Sequence, residues 1–116
     1  MKDKIIYIHT ALDCILHIEK YILNLSLNDF LLDRKTQDAV IRNIEVLGQT
    51  IKDFGTDDLK VDYPEIGWHQ IAGMRNIIAH EYLGIDLVLV WDTINEHLLP
   101  LKTVLEEIIS SDNKVN

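Results

Sequence analysis

Apolar residues recur at helical spacing along most of this chain. From Asp3 to about Leu25 they fall at Ile5, Ile8, Leu12, Ile15 and Ile22, which is one face of an amphipathic helix. Glu19 is the one heptad position of that stripe that is not apolar. Ile6, Leu16, Ile18 and Leu23 widen the face, so this helix is expected to touch more than one neighbour. Next, Ser26-Leu27-Asn28-Asp29 offers N-cap side chains and an acidic first turn. Val40, Ile44, Leu47 and Ile51 then carry a long helix to about Phe54. Gly48 lies inside it, where glycine costs about 1 kcal/mol against alanine, and is read as a point of close approach by another helix. Arg42 and Glu45 are three apart and can pair on its surface.

Gly55 ends that helix, and residues 56–64 read as a polar, acidic connection. Pro64 suits the first turn of a third helix with Asp62 as its cap. That helix is expected to run through Ile66, Trp68, Ile71, Met74, Ile77 and Ile78 to about Tyr82, with Gly84 closing it. Asp86 can cap a fourth helix through Leu87, Val90, Trp91, Ile94 and Leu98. The run Leu87-Val88-Leu89-Val90-Trp91 has strand propensity, but a lone strand would have no partner to pair with. Pro100 is expected to kink or divide the last helix. Leu101, Val104, Leu105, Ile108 and Ile109 continue its apolar face before a tail that frays from Ser110. The expected fold is an all-α, single-domain bundle of four to five helices.

Composition narrows the class without changing this picture. With 116 residues, 47% hydrophobic and 26% charged, the chain can bury one core and not two. No apolar run approaches the roughly 20 residues of a membrane helix, and the start of the chain lacks the small-residue cleavage site of a secretory leader. A lone Cys14 beside Ile15 and Leu16 cannot form an internal disulfide and reads as a buried thiol. The expected compartment is a reducing cytoplasm. Net charge is −8, with a pI near 4.9. That opposes non-specific attraction to nucleic acid, but leaves room for a local site built on one or two arginines.

Such a site is suggested by Met74-Arg75-Asn76-Ile77-Ile78-Ala79-His80-Glu81-Tyr82. Arginine is a permanently charged fork for phosphate oxygens, and histidine moves its proton most easily near neutral pH. On a helix Arg75 and Tyr82 share one stripe, and Asn76 and His80 share another. Arg75 and His80 stand roughly 140° apart around the axis, a poor geometry for gripping one phosphate from a single straight helix. Two copies of the helix meeting across a symmetric dimer would place residues from both chains in one cleft. No glycine-rich phosphate loop, HExxH, CxxC, GxSxG or calcium loop competes with it. His9, His17, His69 and His97 are isolated and read as structural or exposed, while Asp57-Asp58 and Glu106-Glu107 read as solvated surface.

The phrase Tyr63-Pro64-Glu65-Ile66-Gly67-Trp68, then Ile71-Ala72-Gly73-Met74-Arg75-Asn76, His80-Glu81-Tyr82 and Gly84-Ile85-Asp86 resembles the HepT-like branch of the HEPN superfamily. Upstream, Ile41-Arg42-Asn43-Ile44-Glu45-Val46-Leu47-Gly48 matches the same branch. This resemblance covers nearly the whole chain. It implies a dimeric helical bundle acting as a metal-independent ribonuclease without a cofactor, the toxin of a type VII toxin–antitoxin pair whose antitoxin is a minimal nucleotidyltransferase. Carried onto this sequence, Arg75 and His80 become the catalytic pair and Asn76 the supporting polar residue. Tyr82 becomes the hydroxyl that the antitoxin modifies with AMP. Two positions depart from the family pattern: Gln49, where an acidic residue is usual, and Gly67, where proline is common.

The reaction implied is RNA cleavage by transesterification. His80 serves as base toward the 2′-OH or as acid toward the leaving 5′-oxygen, and Arg75 holds the scissile phosphate. AMP on Tyr82, along the stripe of Arg75, would add bulk and negative charge beside that phosphate site. Two rival readings stand: a non-catalytic subunit that serves as binding partner and substrate of the nucleotidyltransferase, and a plain helical dimerisation protein.

Overall fold

Where one long helix is expected over residues 26–54, the chain of the computed structural model breaks at Leu32–Asp33 because two caps compete for it. The first belongs to Ser26, whose hydroxyl accepts from the Asp29 N–H while the Asp29 carboxylate accepts from the Ser26 N–H. This reciprocal capping box starts a five-residue helix. The second belongs to Asp33, whose side chain accepts from the Thr36 N–H and, at 2.6 Å, from the Thr36 hydroxyl. The structure describes the backbone of residues 4–80 and 86–115, and the side chains of residues 4–74 and 86–113. Six helices result among them: α1 Ile5–Ile22, α2 Leu27–Leu31, α3 Arg34–Phe54, α4 Thr56–Asp62, α5 Trp68–His80 and α6 Leu87–Val115. The all-α expectation holds, with six helices in place of four or five.

The stripes read from the sequence do the packing. Helix α1 lies against α3 and α6, α3 lies against α5, and the short α2 and α4 fill the corners. Ile8, Ile15 and Ile18 of α1 meet Val40, Ile44, Leu47 and Ile51 of α3 in a core where each is at most 1% exposed. Burying a side chain of this size contributes about 1.5–3 kcal/mol. Phe30 of α2 is fully buried against the Trp91 ring, centroids 5.3 Å apart. The buried Gln37 amide donates to the Phe30 and Leu31 carbonyls, and so satisfies the end of a helix too short to satisfy itself.

Glu19, the outlier on the apolar stripe of α1, is explained by its partner: Lys102 of α6 donates to it at 3.0 Å. Gly48 is buried on α3. On the exposed face of α3 the ion pair that forms is Arg34–Asp38, 3.1 Å. Cys14 is buried. Desolvation, reinforced by Asp13 and opposed by Arg42, pushes its thiol from 9.0 up to about 11.

Three further boundaries differ from expectation. Gly55 does end α3, at φ 116°, a conformation glycine adopts without a Cβ clash. The acidic stretch after it then folds as α4 instead of a loop. Leu59 is buried, and Lys4 clamps the corner by lying 4.6 Å over the Phe54 ring and 3.1 Å from Asp58. Asp62 therefore closes α4 and does not cap α5, and Pro64 stands in the turn between them. At Pro100 α6 is not divided. The residue is exposed, so the carbonyl one turn back that loses its donor lies toward solvent and not in the core. Helix α6 continues past Ser110 to Val115, and its 29 residues set the 46 Å long dimension of the molecule. Among the described residues no helix is long and apolar enough to cross a membrane.

Candidate functional site

Helix α5 is held at its start more firmly than the sequence suggests. Trp68 is 1% exposed, and its indole N–H donates to the Tyr63 carbonyl at 2.8 Å, tying the turn 63–67 to the first residue of the helix. The Trp68 N–H donates to the Ile66 carbonyl, and the Ile71 N–H to that of Gly67. Gly67 does not adopt the left-handed backbone that would demand glycine, and an added Cβ would meet only the flexible carboxamide of Gln70. The departure at this position therefore leaves the turn intact. At Gln49 the side-chain amide donates to Asp53, one turn on, at 2.8 Å. A carboxylate there would face a like charge at i+4, so the neutral residue fits its neighbour.

From this anchor the backbone carries Arg75, Asn76 and His80 on α5, within Trp68–His80. The five steps between Arg75 and His80 correspond to a rise of about 7.5 Å and a rotation of roughly 140°. The side chains of Arg75, Asn76 and His80 lie outside the described ones, as does Tyr82 altogether, together with the expected closure at Gly84. Met74, immediately before Arg75, is described and packs against the core.

Met74 also lines a cavity of about 570 Å³ between the start of α5 and the first half of α6. Ile44 of α3 contributes to its floor, with Ile71, Val90, Leu98 and Leu101. The polar lining is sparse: Glu65, Gln70, Thr93 and His97. His97, expected from the sequence to be isolated, is part of this lining. Of its apolar lining on α6, Leu89 is 56% exposed.

The remaining histidines are placed as expected. His17 is exposed and lies 3.4 Å from the Asn43 side chain. His69 is exposed between the Thr56 hydroxyl at 3.3 Å and the Asp57 carboxylate at 3.5 Å, where it links α4 to α5. Asp57 and Asp58 are solvated, and each nonetheless meets a cation or histidine. No group of three His, Cys, Asp or Glu side chains among the described residues converges as a metal site would require.

Comparison with known proteins finds relatives over most of the chain. The sequence profile of the family described as "Ribonuclease HepT-like" matches residues 11–108. A protein of Thermococcus cleftensis named "Probable ribonuclease HepT" is 36% identical over 102 residues, 88% of this chain and 92% of its own. A "Putative RNase" of Methanocaldococcus jannaschii is 34% identical over 109 residues, 93% of this chain and 88% of its own. A second protein of that organism, named as a gamma-glutamylcyclotransferase and putative RNase, is 34% identical over 113 residues, 97% of this chain and 50% of its own. No solved structure matches the chain significantly.

Proposed function

The chain belongs to the HepT-like ribonuclease family, and on that premise we propose that it is a metal-independent endoribonuclease whose catalytic pair is Arg75 and His80. The observation that carries this reading is the place of both residues on one continuous helix, α5. Their separation of roughly 140° around the axis favours a site shared by two copies over a site within one. In a homodimer pairing two α5 helices, Arg75 of one protomer would hold the scissile phosphate facing His80 of its partner.

In this mechanism the neutral His80 imidazole removes the proton of a ribose 2′-OH, and the resulting oxygen attacks the adjacent phosphorus. The bond to the 5′-oxygen breaks, and that oxygen takes its proton from an imidazolium. The products are a 2′,3′-cyclic phosphate and a free 5′-hydroxyl. The guanidinium of Arg75 stabilises the charge that builds on the non-bridging oxygens. Asn76, one turn before His80, orients the imidazole or the phosphate. The 2′-OH requirement restricts the activity to RNA. Because the overall charge of −8 gives little non-specific hold on RNA, recognition depends on this local arginine.

We further assign the chain the toxin role of a type VII pair, acting in the cytoplasm beside a minimal nucleotidyltransferase antitoxin. Tyr82 is the hydroxyl that receives AMP, two residues beyond His80 in sequence. The reading is tested by incubating wild type, Arg75→Ala and His80→Ala with RNA in the presence of EDTA. Cleavage by wild type alone, leaving cyclic phosphate ends, is expected. Cleavage that survives both substitutions would sink the assignment. For Tyr82, intact mass after incubation with the partner and ATP should rise by one AMP in wild type and not in Tyr82→Phe.

A further inference from the structure

We propose that the groove between the start of α5 and the first half of α6 is a docking site for a positively charged amphipathic helix of a partner protein. Its shape suits a helix. The residues of α6 that line it run from Leu89 to Leu101, a length of about 18 Å, or the span of some twelve helical residues. Its floor is apolar, from Ile44, Ile71, Met74, Val90 and Leu98, as grooves that receive the apolar face of a helix are.

Its rim selects the charge of the occupant. Glu65 lines the groove directly. The Asp86 carboxylate accepts from the Leu89 N–H at 3.0 Å and so sits at the end where Leu89 enters the lining. Glu96 lies 3.8 Å from His97, a lining residue. All three carboxylates are exposed, and no lysine or arginine is among the described lining residues. Along α6 the first lysine or arginine is Lys102, which is engaged with Glu19 of α1. An RNA strand laid here would set phosphates against carboxylates. A second copy docked groove to groove about a two-fold axis would set Glu65, Asp86 and Glu96 against their own equivalents. A segment with apolar residues at i, i+3, i+4 and i+7 and lysine or arginine between them satisfies both floor and rim.

The test uses the full chain and a fluorescein-labelled helical peptide of about 14 residues with leucine on one face and lysine on the other. A leucine/glutamate peptide of the same pattern and a labelled single-stranded RNA serve as competing probes. Anisotropy at low and high salt gives affinity, and amide chemical shifts give location. The lysine peptide is expected to bind and to shift Gln70, Thr93 and His97. The double variant Glu65→Lys/Glu96→Lys should weaken it by at least about tenfold at low salt. The equal charge change Glu106→Lys/Glu107→Lys, at the far end of α6, should alter it by less than about twofold. Any of the following overturns the proposal: equal binding of the glutamate peptide, indifference to the rim reversal, or RNA shifting the same groove residues. So does a wild type that takes up no peptide and is a dimer in sedimentation which Leu89→Asp dissociates, because a second copy then fills the groove. The inference is independent of catalysis. A protein that binds the peptide and cuts no RNA keeps the groove and loses the ribonuclease reading.

Discussion

Replacing Trp68 by phenylalanine removes a side-chain hydrogen bond that fixes the turn 63–67 to α5, and its cost can be worked out from the structure. The indole is 1% exposed and donates to the Tyr63 carbonyl at 2.8 Å. Losing a neutral hydrogen bond of this kind costs about 1 kcal/mol. Phenylalanine is also smaller by about 40 Å³, and a void of that size costs about 1 kcal/mol at roughly 24 cal/mol per Å³. The expected loss is about 2 kcal/mol, or a fall in Tm of about 8 °C for a chain of this length. Urea unfolding followed by far-ultraviolet circular dichroism measures it, at one fixed protein concentration so that any association contributes equally to both proteins. Tyr63→Phe is the control, because the acceptor is a backbone carbonyl and survives the change. It should be neutral within about 0.5 kcal/mol. A Trp68→Phe loss below about 0.5 kcal/mol, or an equal loss in Tyr63→Phe, would refute the anchoring role.

Two further expectations concern titration. Hydrogen bonds from the Thr36 hydroxyl and N–H hold the Asp33 carboxyl below its ordinary 3.8. A depressed folded pKa means stability that is present above the unfolded value and lost as pH falls through the folded one. Asp33→Ala should therefore lower stability at neutral pH, and the difference from wild type should shrink as pH falls below 3.8. A difference that persists unchanged in strong acid would contradict this. Cys14, pushed from 9.0 up to about 11, should react with iodoacetamide at pH 8 about 100-fold more slowly than a free thiol, since each unit removes a factor of ten in thiolate. Rapid labelling of the native protein would show the site to be open. The raised folded pKa also means that the unfolded chain ionises first, so stability contributed by this burial should decline as pH rises above 9.0.

Much of the fold could be read from the stripes, because burial in a helical bundle follows the 3.6-residue period directly. Val40, Ile44, Leu47 and Ile51 are a predicted face and an observed core. What the stripes concealed was where helices stop. At Leu32–Asp33 the break is set by the Ser26 and Asp33 caps, which a hydrophobic period does not register. Likewise the polar character of residues 56–62 hides a helix that Leu59 buries from one side and Lys4 pins from another. At Pro100 the rule that proline ends helices gave way to an exposed position that tolerates the missing bond.

The candidate site was legible in a different sense. Arg75 and His80 are suggested by residue type, the roles of these two and of Tyr82 come from the family resemblance, and family membership supports the reaction proposed for them. The groove that Met74 lines was not legible, because it is a property of the gap between α5 and α6. Its lining comes from α3, the turn 65–67, α5 and α6, and each contributing residue taken alone looks like ordinary core or surface.

The central claim is that one phosphate site is made by Arg75 of one protomer and His80 of its partner. Mixing subunits tests it most directly. Arg75→Ala and His80→Ala proteins, each inactive alone, are unfolded together, refolded, and assayed on RNA in EDTA. If the site is shared, half of the dimers formed carry one arginine from the second protein facing one histidine from the first. Cleavage should then return to about a quarter of the wild-type rate. A mixture that forms the mixed dimer and stays inactive would contradict the account, because it would place the two residues of each site on the same chain.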